Sequence, residues 1–353
     1  MHVLIKMIAS FGGTAIFMYL AFKNIHLPSF WESLSDTGWL LIVGASAMTV
    51  VSMLLRAWRW QILLSPLKKV PYFSAFTFTM IGFMGNNVLP AHAGEVIKPY
   101  LLGKKEGISG FSALATVLIE RVLDCIALIT LFLSVLFFVP LPFWMKTGGL
   151  AAGFGSLALL FLMITLASGE SRMRDKLFRL NEKFPGKIRS YTHRHLITFL
   201  EGLAIFKRRA ALFPLIGISL LIWLHMSATA YLILKGYPMA GPAGANLWLA
   251  AVVVVVFLAF AIVLPSSPGY LGITQWGFKI ALGLFAINEI DALGCSVIFS
   301  LTQYVPVTAG GIILLMKEGM SFKYLRSSAR TQHETLAPEA LLPYEKAPGR
   351  TKP

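Results

Sequence analysis

The sequence has 353 residues, of which 56% are hydrophobic and 13% charged, and its mean hydropathy is +0.72. A soluble domain carries about 25% charged residues, so this composition excludes a soluble enzyme and indicates a polytopic membrane protein with about seven to nine spans. The 31 Lys and Arg residues exceed the 16 Asp and Glu residues, and in a membrane protein this predicts basic cytoplasmic loops, not nucleic-acid binding. Cys125 and Cys295 lie in apolar runs, so neither a disulfide framework nor a cysteine metal site is expected.

Long apolar runs predict an all-α fold, a polytopic integral membrane helical bundle of about eight spans. Continuous runs occupy residues 3–22, 38–56, 112–138, 147–168, 210–234 and 291–316. Two further regions, 72–102 and 246–287, are apolar but interrupted by polar residues, prolines and glycines. Each interrupted region predicts either a broken or re-entrant helical hairpin or a pair of full spans. No cleavage pattern follows the first run, which is therefore expected to remain as a span.

Basic segments predict the orientation of the chain. Residues 169–210 contain eleven basic residues against four acidic ones. Further basic residues, among them Arg56 and Arg59, follow the second run and the last run. The positive-inside rule places all of these in the cytoplasm together with both termini. Apolar residues at helical spacing from Leu196 to Phe206 indicate either an interfacial helix on anionic headgroups or a loop that is basic only because it is cytoplasmic.

The first interruption extends from Gly85 to Glu95 and contains polar groups that cannot face lipid. Asn86, Asn87 and His92 lie in it together with a proline. Unpaired polar and backbone groups each cost several kcal/mol in hydrocarbon. We therefore expect this segment to line a cavity inside the protein or to reach an interface.

The second interruption extends from Leu264 to Gly272 and contains two prolines. Its candidate site residues, which have polar groups or free backbone conformations, are Ser266, Ser267, Gly269 and Tyr270. Side-chain hydroxyl groups here can satisfy backbone groups that the prolines free. Broken helices also expose N–H groups that can bind an anion.

The two interruptions are predicted to enter the membrane from opposite faces. On the topology given by the basic loops, residues 72–102 start and return on the cytoplasmic side, whereas residues 246–287 start and return on the external side. Opposed broken hairpins are typical of an inverted-repeat transporter with a binding site between them. The alternative is that each interruption is an ordinary interfacial turn between two short spans.

One predicted span contains three charged residues, Glu120, Arg121 and Asp124. Each costs at least about 2.5–3.5 kcal/mol inside a span unless it pairs or faces water. An Arg121–Asp124 pair, three residues apart on the helix, would leave Glu120 to meet Lys98, His92 or a ligand cation. The alternative is that these charges lie in the headgroup region, at the cytoplasmic end of the span. By contrast, a lone His225 in an apolar span is interpreted as a packing residue.

These motifs together resemble a known family, the lysylphosphatidylglycerol synthase transmembrane, or flippase-like, family. The resemblance covers about 5–320 and depends on residues 86–95, Lys98, residues 120–124 and residues 264–272. It implies a bacterial inner-membrane protein that moves lipids or lipid-linked headgroups between leaflets. It implies no lysyl transfer, because the membrane region fills this sequence.

The family pattern commonly has Arg at the positions of His92 and Lys98. Replacing a bidentate arginine in this way would weaken or retune the binding of a phosphate, and His92 would add sensitivity to pH. The domain prediction is a flippase-like membrane domain at residues 1–320, which includes the basic loop, and a disordered cytoplasmic tail at residues 327–353.

The function predicted from these observations is a lipid translocase that binds a phosphate-bearing headgroup in a polar cavity within the membrane. The predicted substrate-binding residues are Asn86, Asn87, His92, Glu95, Lys98, Glu120, Arg121, Asp124, Ser266, Ser267, Gly269 and Tyr270. The predicted partner is a phospholipid or a polyprenyl-linked lipid. No catalytic residue, cofactor or metal is expected, and homo-oligomerisation stays open.

Two other functions fit the same residues. In the first, the protein is an intramembrane transferase acting on a lipid-linked substrate, with His92 and Glu95 or Asp124 as general acid and base. In the second, it is a membrane partner that docks a separate lipid-modifying enzyme through residues 169–210. No nucleophile arrangement or donor-binding motif accompanies His92, so the translocase ranks first.

Overall fold

The computed structural model describes residues 12, 15–23, 25–89, 92–167, 172–238, 246–261 and 268–320, and no strand occurs among them. Residues 15–22 form helix α1. The helices that follow are α2 Leu27–Ser35, α3 Trp39–Leu64, α4 Tyr72–Val88, α5 Gly94–Glu106, α6 Gly110–Leu136, α7 Phe143–Ala167, α8 Arg172–Glu182, α9 Gly186–Gly202, α10 Arg209–Gly236, α11 Leu247–Ala261, α12 Ile273–Gly283 and α13 Glu289–Lys317. The all-α membrane bundle predicted from the apolar runs is therefore confirmed.

Two units of the same design make up the bundle. In the first unit α3 leads into a hairpin of α4 and α5, which α6 follows; in the second, α10 leads into a hairpin of α11 and α12, which α13 follows. In each unit the leading helix packs on the first arm, the arms pack on each other, and the second arm packs on the final helix. Across the units α3 packs on α10, α4 on α13, and α6 on both α10 and α11.

The two hairpins enter the bundle from opposite ends of α13. At the open end of the first hairpin, the Lys68 Nζ atom donates to the Glu106 carbonyl at 2.5 Å, and Lys105 pairs with Glu318, just after the C-terminal end of α13. At the end of the second hairpin, Lys279 pairs at 2.7 Å with Glu289, the first residue of α13. Opposite entry, as the sequence predicted, therefore follows from the contacts themselves.

The hairpin arms are shorter than full spans. At 1.5 Å per residue, the 17 residues of α4 and the 13 of α5 extend about 26 and 20 Å. The 15 residues of α11 and the 11 of α12 extend about 22 and 16 Å. A bilayer core is about 30 Å thick, so the described residues of both interrupted regions form broken, re-entrant hairpins, and no pair of full spans occurs among them.

Glycines bring the arms of the first hairpin into contact. A Cβ added at Gly94 would overlap the carbonyl oxygen of Gly82, and one added at Gly82 would lie 2.7 Å from the Cβ atom of Lys98. Close approach of this kind needs residues without side chains. It positions Lys98, on α5, deep in the bundle, where it is 4% exposed.

The structure corrects the end of the second span. The sequence predicted a span at 38–56 with Arg56 and Arg59 in a cytoplasmic loop, whereas α3 continues to Leu64 and buries both arginines. The helix continues because the residues after Arg56 are again mostly apolar and end in Ile62, Leu63 and Leu64. Four helices among the described residues, α3, α7, α10 and α13, are long and apolar enough to cross a membrane. Helix α6 has 27 residues, about 40 Å, but contains the three charges already noted.

The basic segment forms helices α8 and α9, with α9 packed on the start of α6. Ser112 Oγ donates to the Thr198 carbonyl at 2.7 Å, and Gly202 lies directly against Ser112. The predicted tail at 327–353 and most of the first apolar run lie outside the described residues. Both cysteines are free thiols, with Cys295 buried and Cys125 exposed on α6.

Candidate functional site

The tips of the two hairpins touch. The ring of His92, just before α5, stacks on the ring of Tyr270 at a centroid distance of 5.3 Å and an interplanar angle of 24°. A Cβ added at Gly269 would lie 2.9 Å from Tyr304 on α13 and 3.9 Å from the Asn87 carbonyl oxygen. The polar interruptions, about 175 residues apart in the chain, therefore meet in the folded protein.

This meeting point lies near the middle of α13. Asn87 Nδ2 donates to Thr308 Oγ1 at 3.0 Å, and Gly269 faces Tyr304. Tyr304 is about 22 Å from the first residue of α13 and about 20 Å from the last. Because α13 is long enough to span a bilayer, the tips lie far from both ends of the bundle.

Seven charged residues, three of them carboxylates, lie beside the tips, and we call them the charge cluster. They are Arg56, Arg59, Glu95, Lys98, Glu120, Arg121 and Asp124. They come from α3, α5 and α6, and α6 packs on both of the other two helices. Among the described residues the cluster has four cationic groups against three carboxylates, an excess of one positive charge.

Asp124 accepts two hydrogen bonds on one of its two carboxylate oxygens. Its Oδ1 atom accepts from Arg59 Nη1 at 2.6 Å and from Trp223 Nε1 at 3.0 Å. Arg59 Nη1 also donates to Ser219 Oγ at 2.9 Å. The side chains of Arg59 and Asp124 are only 1% and 5% exposed. Burying an ion costs several kcal/mol, and only close hydrogen-bonded pairing of this quality offsets that cost.

Glu120 is neutralised by Lys98. Lys98 Nζ donates to Glu120 Oε2 at 2.6 Å and lies 4.0 Å from the ring centroid of Trp60. Arg59 Nη2 is 3.7 Å from the other oxygen of Glu120. This confirms one of the partners predicted for Glu120. The lysine and the arginine that balance the two α6 carboxylates therefore each donate a hydrogen bond of 2.6 Å to one of them.

Arg56 and Arg121 are bound more loosely. Arg121 Nη1 is 3.7 Å from Asp124 Oδ2, and Arg121 Nε is 3.6 Å from Glu95 Oε1. Arg56 Nη1 is 3.9 Å from the same Asp124 oxygen, and its guanidinium lies 5.2 Å from the ring centroid of Phe83. All of these distances exceed hydrogen-bond length. The Arg121–Asp124 contact exists, but the hydrogen-bonded partner of Asp124 is Arg59, not the predicted Arg121.

Several buried polar atoms in this region have no hydrogen-bond partner among the described residues. They are Ser52 Oγ, Arg56 Nε, Arg59 Nε, Thr79 Oγ1, Asn86 Oδ1, Arg121 Nε and Asp124 Oδ2. Each unsatisfied buried group costs about 1–3 kcal/mol. A protein retains such atoms where they serve a ligand, an ion or water, and here they concentrate on α3, α4 and α6.

Both residues of the stacked pair have strained backbones. His92 has φ 51° and Tyr270 has φ 59°, values that are uncommon for residues other than glycine. Each such conformation costs about 1–3 kcal/mol and occurs most often at functional sites. Thr274 Oγ1 donates to the Tyr270 carbonyl at 3.0 Å, as expected for a hydroxyl that satisfies a freed backbone group.

The structure brings together ten of the twelve predicted substrate-binding residues, because all lie in the two tips or the charge cluster. Ser266 and Ser267 lie outside the described residues. The half-buried members are Asn87, His92, Glu95, Arg121, Gly269 and Tyr270, whereas the other four are buried. The predicted Asn86–Glu95 and α6 charges do share one region, so the charges are not confined to the helix end.

Residues of α3 and α10 were missed by sequence reasoning. Arg56, Arg59, Ser219 and Trp223 all contact the cluster. The sequence prediction places Arg56 and Arg59 in a loop because it ends the span of residues 38–56 at the first positive charge. The apolar residues that follow them were the signal for a longer helix. His225, interpreted as a packing residue, contacts the Met48 carbonyl oxygen through Nε2 at 2.8 Å.

The fold and the site define a helical integral membrane protein in which two opposed re-entrant hairpins meet beside a buried charge cluster. The chain belongs to the family described as the lysylphosphatidylglycerol synthase TM region, which matches residues 3–311. The resemblance drawn from the motifs is thereby confirmed. No group of three or more metal-binding side chains occurs in the described part of the chain.

Three proteins similar to this chain come from archaea. The chain is 26% identical over 264 residues to a UPF0104 membrane protein of Methanothermobacter thermautotrophicus, covering 70% of this chain and 75% of that protein. It is 28% identical over 253 residues to one of Methanocaldococcus jannaschii, covering 68% and 99%. It is 25% identical over 324 residues to glycosyltransferase AglD of Haloferax volcanii, covering 79% of this chain and 49% of AglD. The chain thus spans about half the length of AglD.

Proposed function

We propose that this protein translocates a phosphate-bearing lipid, either a phospholipid or a polyprenyl-linked lipid, between leaflets. The observation that supports this proposal most strongly is the meeting of the His92 and Tyr270 tips, far from both ends of α13 and beside a charge cluster with excess positive charge. A polar site at this depth is expensive in hydrocarbon and marks a pathway for a polar substrate. The headgroup would pass through it while the acyl or isoprenoid chains stay in the bilayer.

Each group of site residues has a role in this proposal. Asn86 and Asn87 would hydrogen-bond the headgroup, and His92 and Arg121 would contact the phosphate. Glu95 orients Arg121, from which it is 3.6 Å away. Gly269 and Tyr270 contribute the second tip, with Ser266 and Ser267 next to them in the chain. Lys98, Glu120 and Asp124 hold the frame of the site through the ion pairs described above.

The architecture supports a transport function more than that of a protein that only binds a lipid. Opposed units that meet at a central site are the design of transporters that expose one site to each side in turn. The name glycosyltransferase connects one relative, AglD, with the transfer of sugar groups, and the chain matches about half of that protein. A bacterial inner membrane and cytoplasmic termini remain predictions, as do the domain limits at 320 and 327.

The experiment is a reconstitution of the purified full chain into vesicles that contain a headgroup-labelled fluorescent phospholipid. Dithionite added outside quenches the outer leaflet, so transfer appears as quenching beyond about half of the label. We expect more transfer than in empty vesicles for at least one phosphate-bearing headgroup. Lys105→Gln, which changes a cation outside the charge cluster, should transfer like the wild type. Transfer equal to that of empty vesicles across phospholipid and polyprenyl-phosphate probes would refute the proposal.

The second candidate is an intramembrane transferase, and the printed name of AglD is the observation that favours it. His92 and Glu95 are three residues apart at the same tip, which allows acid and base roles within hydrogen-bond reach of one substrate. Lipid analysis of membranes with His92→Ala or Glu95→Gln distinguishes the two functions. A changed chemical species supports the transferase, whereas a changed leaflet distribution alone supports the translocase.

A further inference from the structure

Arg56 is a buried cation whose charge the protein does not balance by a close contact. It is 6% exposed, and its nearest carboxylate oxygen, Asp124 Oδ2, is 3.9 Å from Nη1. Its Nε atom has no hydrogen-bond partner within the part of the chain that the structure describes. The flanking groups are the aromatic rings of Phe83 and Trp223, at 5.2 and 5.7 Å. Aromatic contact alone does not replace the hydration that a buried guanidinium loses.

Two of the other three cations, Arg59 and Lys98, are held by a close contact with a carboxylate, whereas Arg121 is not. Arg59 and Lys98 each donate a hydrogen bond of 2.6 Å to a carboxylate, which leaves Arg56 and Arg121 to contribute the excess positive charge. Arg121 is also held only by contacts of 3.6 and 3.7 Å, and its Nε atom is likewise unpartnered. The excess of one positive charge equals in size the single negative charge of a phosphodiester.

The geometry allows one anion to contact both arginines. The Nη1 atoms of Arg56 and Arg121 both lie within 4 Å of Asp124 Oδ2, so they are no more than about 8 Å apart. The two free oxygens of a phosphodiester, each accepting a hydrogen bond of about 2.9 Å, can bridge that separation. The side chain of Arg121 is 38% exposed, whereas that of Arg56 is only 7% exposed.

We propose that Arg56, with Arg121, forms the site that binds the phosphodiester anion of the lipid headgroup. This inference rests on the proposed function and names the residues that contact the phosphate. Arg56 is the inner contact and Arg121 the entrance contact. Planar guanidinium groups bind phosphate in a bidentate manner that lysine cannot reproduce. The anion would also accept from Nε atoms for which the described residues provide no acceptor.

The test measures binding apart from transport. The full chain in neutral detergent is melted with increasing dihexanoyl phosphatidylglycerol, inorganic phosphate, or dihexanoylglycerol, which lacks the phosphate. We expect the phosphatidylglycerol to raise the melting temperature, with a weaker response to inorganic phosphate and none to dihexanoylglycerol. Arg56→Gln should need about 10- to 100-fold more of the lipid, the cost of a lost hydrogen bond to a charged group. Lys105→Gln is the matched control and should titrate like the wild type.

Each result has a distinct meaning. Arg56→Gln that titrates like the wild type overturns the assignment of Arg56 and leaves the proposed function standing. Wild-type protein that responds to no phosphate and transfers no lipid refutes the proposed function, and the inference with it. An equal response to inorganic phosphate and to the lipid would identify a site for free phosphate and refute the lipid ligand.

A second variant distinguishes a loss of lipid binding from a folding defect. Arg56→Lys keeps the positive charge without the planar fork, and it should bind more weakly than the wild type but more tightly than Arg56→Gln. Arg56→Gln itself should melt at or above the wild-type temperature without ligand, because it removes a cation that lies close to Arg59 and Arg121. Lys and Gln variants with equal lipid affinity would overturn the role of the Arg56 charge.

Discussion

Replacing Lys98 with Met should destabilise the protein by about 3–5 kcal/mol, the usual cost of leaving one partner of a buried ion pair without the other. Lys98 Nζ is 2.6 Å from Glu120 Oε2, and the two side chains are 5% and 2% exposed. Methionine matches the length of the lysine stem, so packing is preserved and the lost charge dominates the result. The remaining contact of Glu120, with Arg59 at 3.7 Å, is too long to compensate.

The double variant Lys98→Met with Glu120→Gln should recover most of this loss. Removing both charges also removes the cost of burying them, and such exchanges are often neutral or stabilising. We therefore expect the double variant to lie within about 1 kcal/mol of the wild type, a coupling energy of about 3 kcal/mol or more. Unfolding in mixed micelles with increasing dodecyl sulfate, followed by tryptophan fluorescence, measures all three variants.

An exposed pair of the same kind provides the control. Lys105 Nζ is also 2.6 Å from a glutamate oxygen, that of Glu318, but Lys105 is 41% exposed. Lys105→Met should cost about 0–1 kcal/mol, because water screens exposed pairs. Equal losses for Lys98→Met and Lys105→Met, or additive losses in the double variant, would refute the reasoning. Loss of lipid transfer in a stable double variant would instead show that Lys98 contacts the substrate.

Two further predictions concern the hairpins. Gly94→Ala should destabilise the protein by about 1–3 kcal/mol, the range for overpacking, because the new methyl group overlaps the Gly82 carbonyl. The control Gly155→Ala, whose methyl group meets no atom within 4 Å, should not destabilise the protein. Equal melting temperatures for the two variants would contradict the close packing of α4 on α5. Tyr270→Ala should reduce lipid transfer severalfold while costing only about 0.5–1.5 kcal/mol of stability, because it removes the stack with His92; wild-type transfer rates would exclude a role for the stack.

Much of the fold follows from the sequence because the bilayer restricts the choices. Apolar length gives the helices, and the polar interruptions give the hairpins, since irregular backbone is tolerated only where protein or water covers it. The contact of His92 with Tyr270 was expected in kind, as a meeting of two broken segments inside the membrane. Which two side chains form the contact was not predictable, because the stack depends on how the two units pack against α13.

The balance of charges was harder to predict. Sequence separation suggested that Arg121 pairs with Asp124, three residues away, but Arg59 from α3 approaches Asp124 more closely. Local spacing describes neighbours on one helix, and it contains no information on a second helix packed against them. Arg56 was misplaced for a related reason. A charged residue in an apolar run marks the end of a span only if no group inside the protein can pair with that charge.

If the protein translocates a lipid as proposed, the energies of the two kinds of contact indicate which part of the site moves. The frame formed by Arg59, Lys98, Glu120 and Asp124 would cost about 3–5 kcal/mol to break at a single pair. The contact between the tips is an aromatic stack, worth about 0.5–1.5 kcal/mol, and both of its residues have positive φ. The cost of opening that stack lowers the population of the open state by about tenfold at most. The cost of breaking one buried ion pair lowers that population by more than a hundredfold. We therefore expect the hairpin tips to separate while the charge cluster stays intact, so that either side of the membrane reaches the same fixed site.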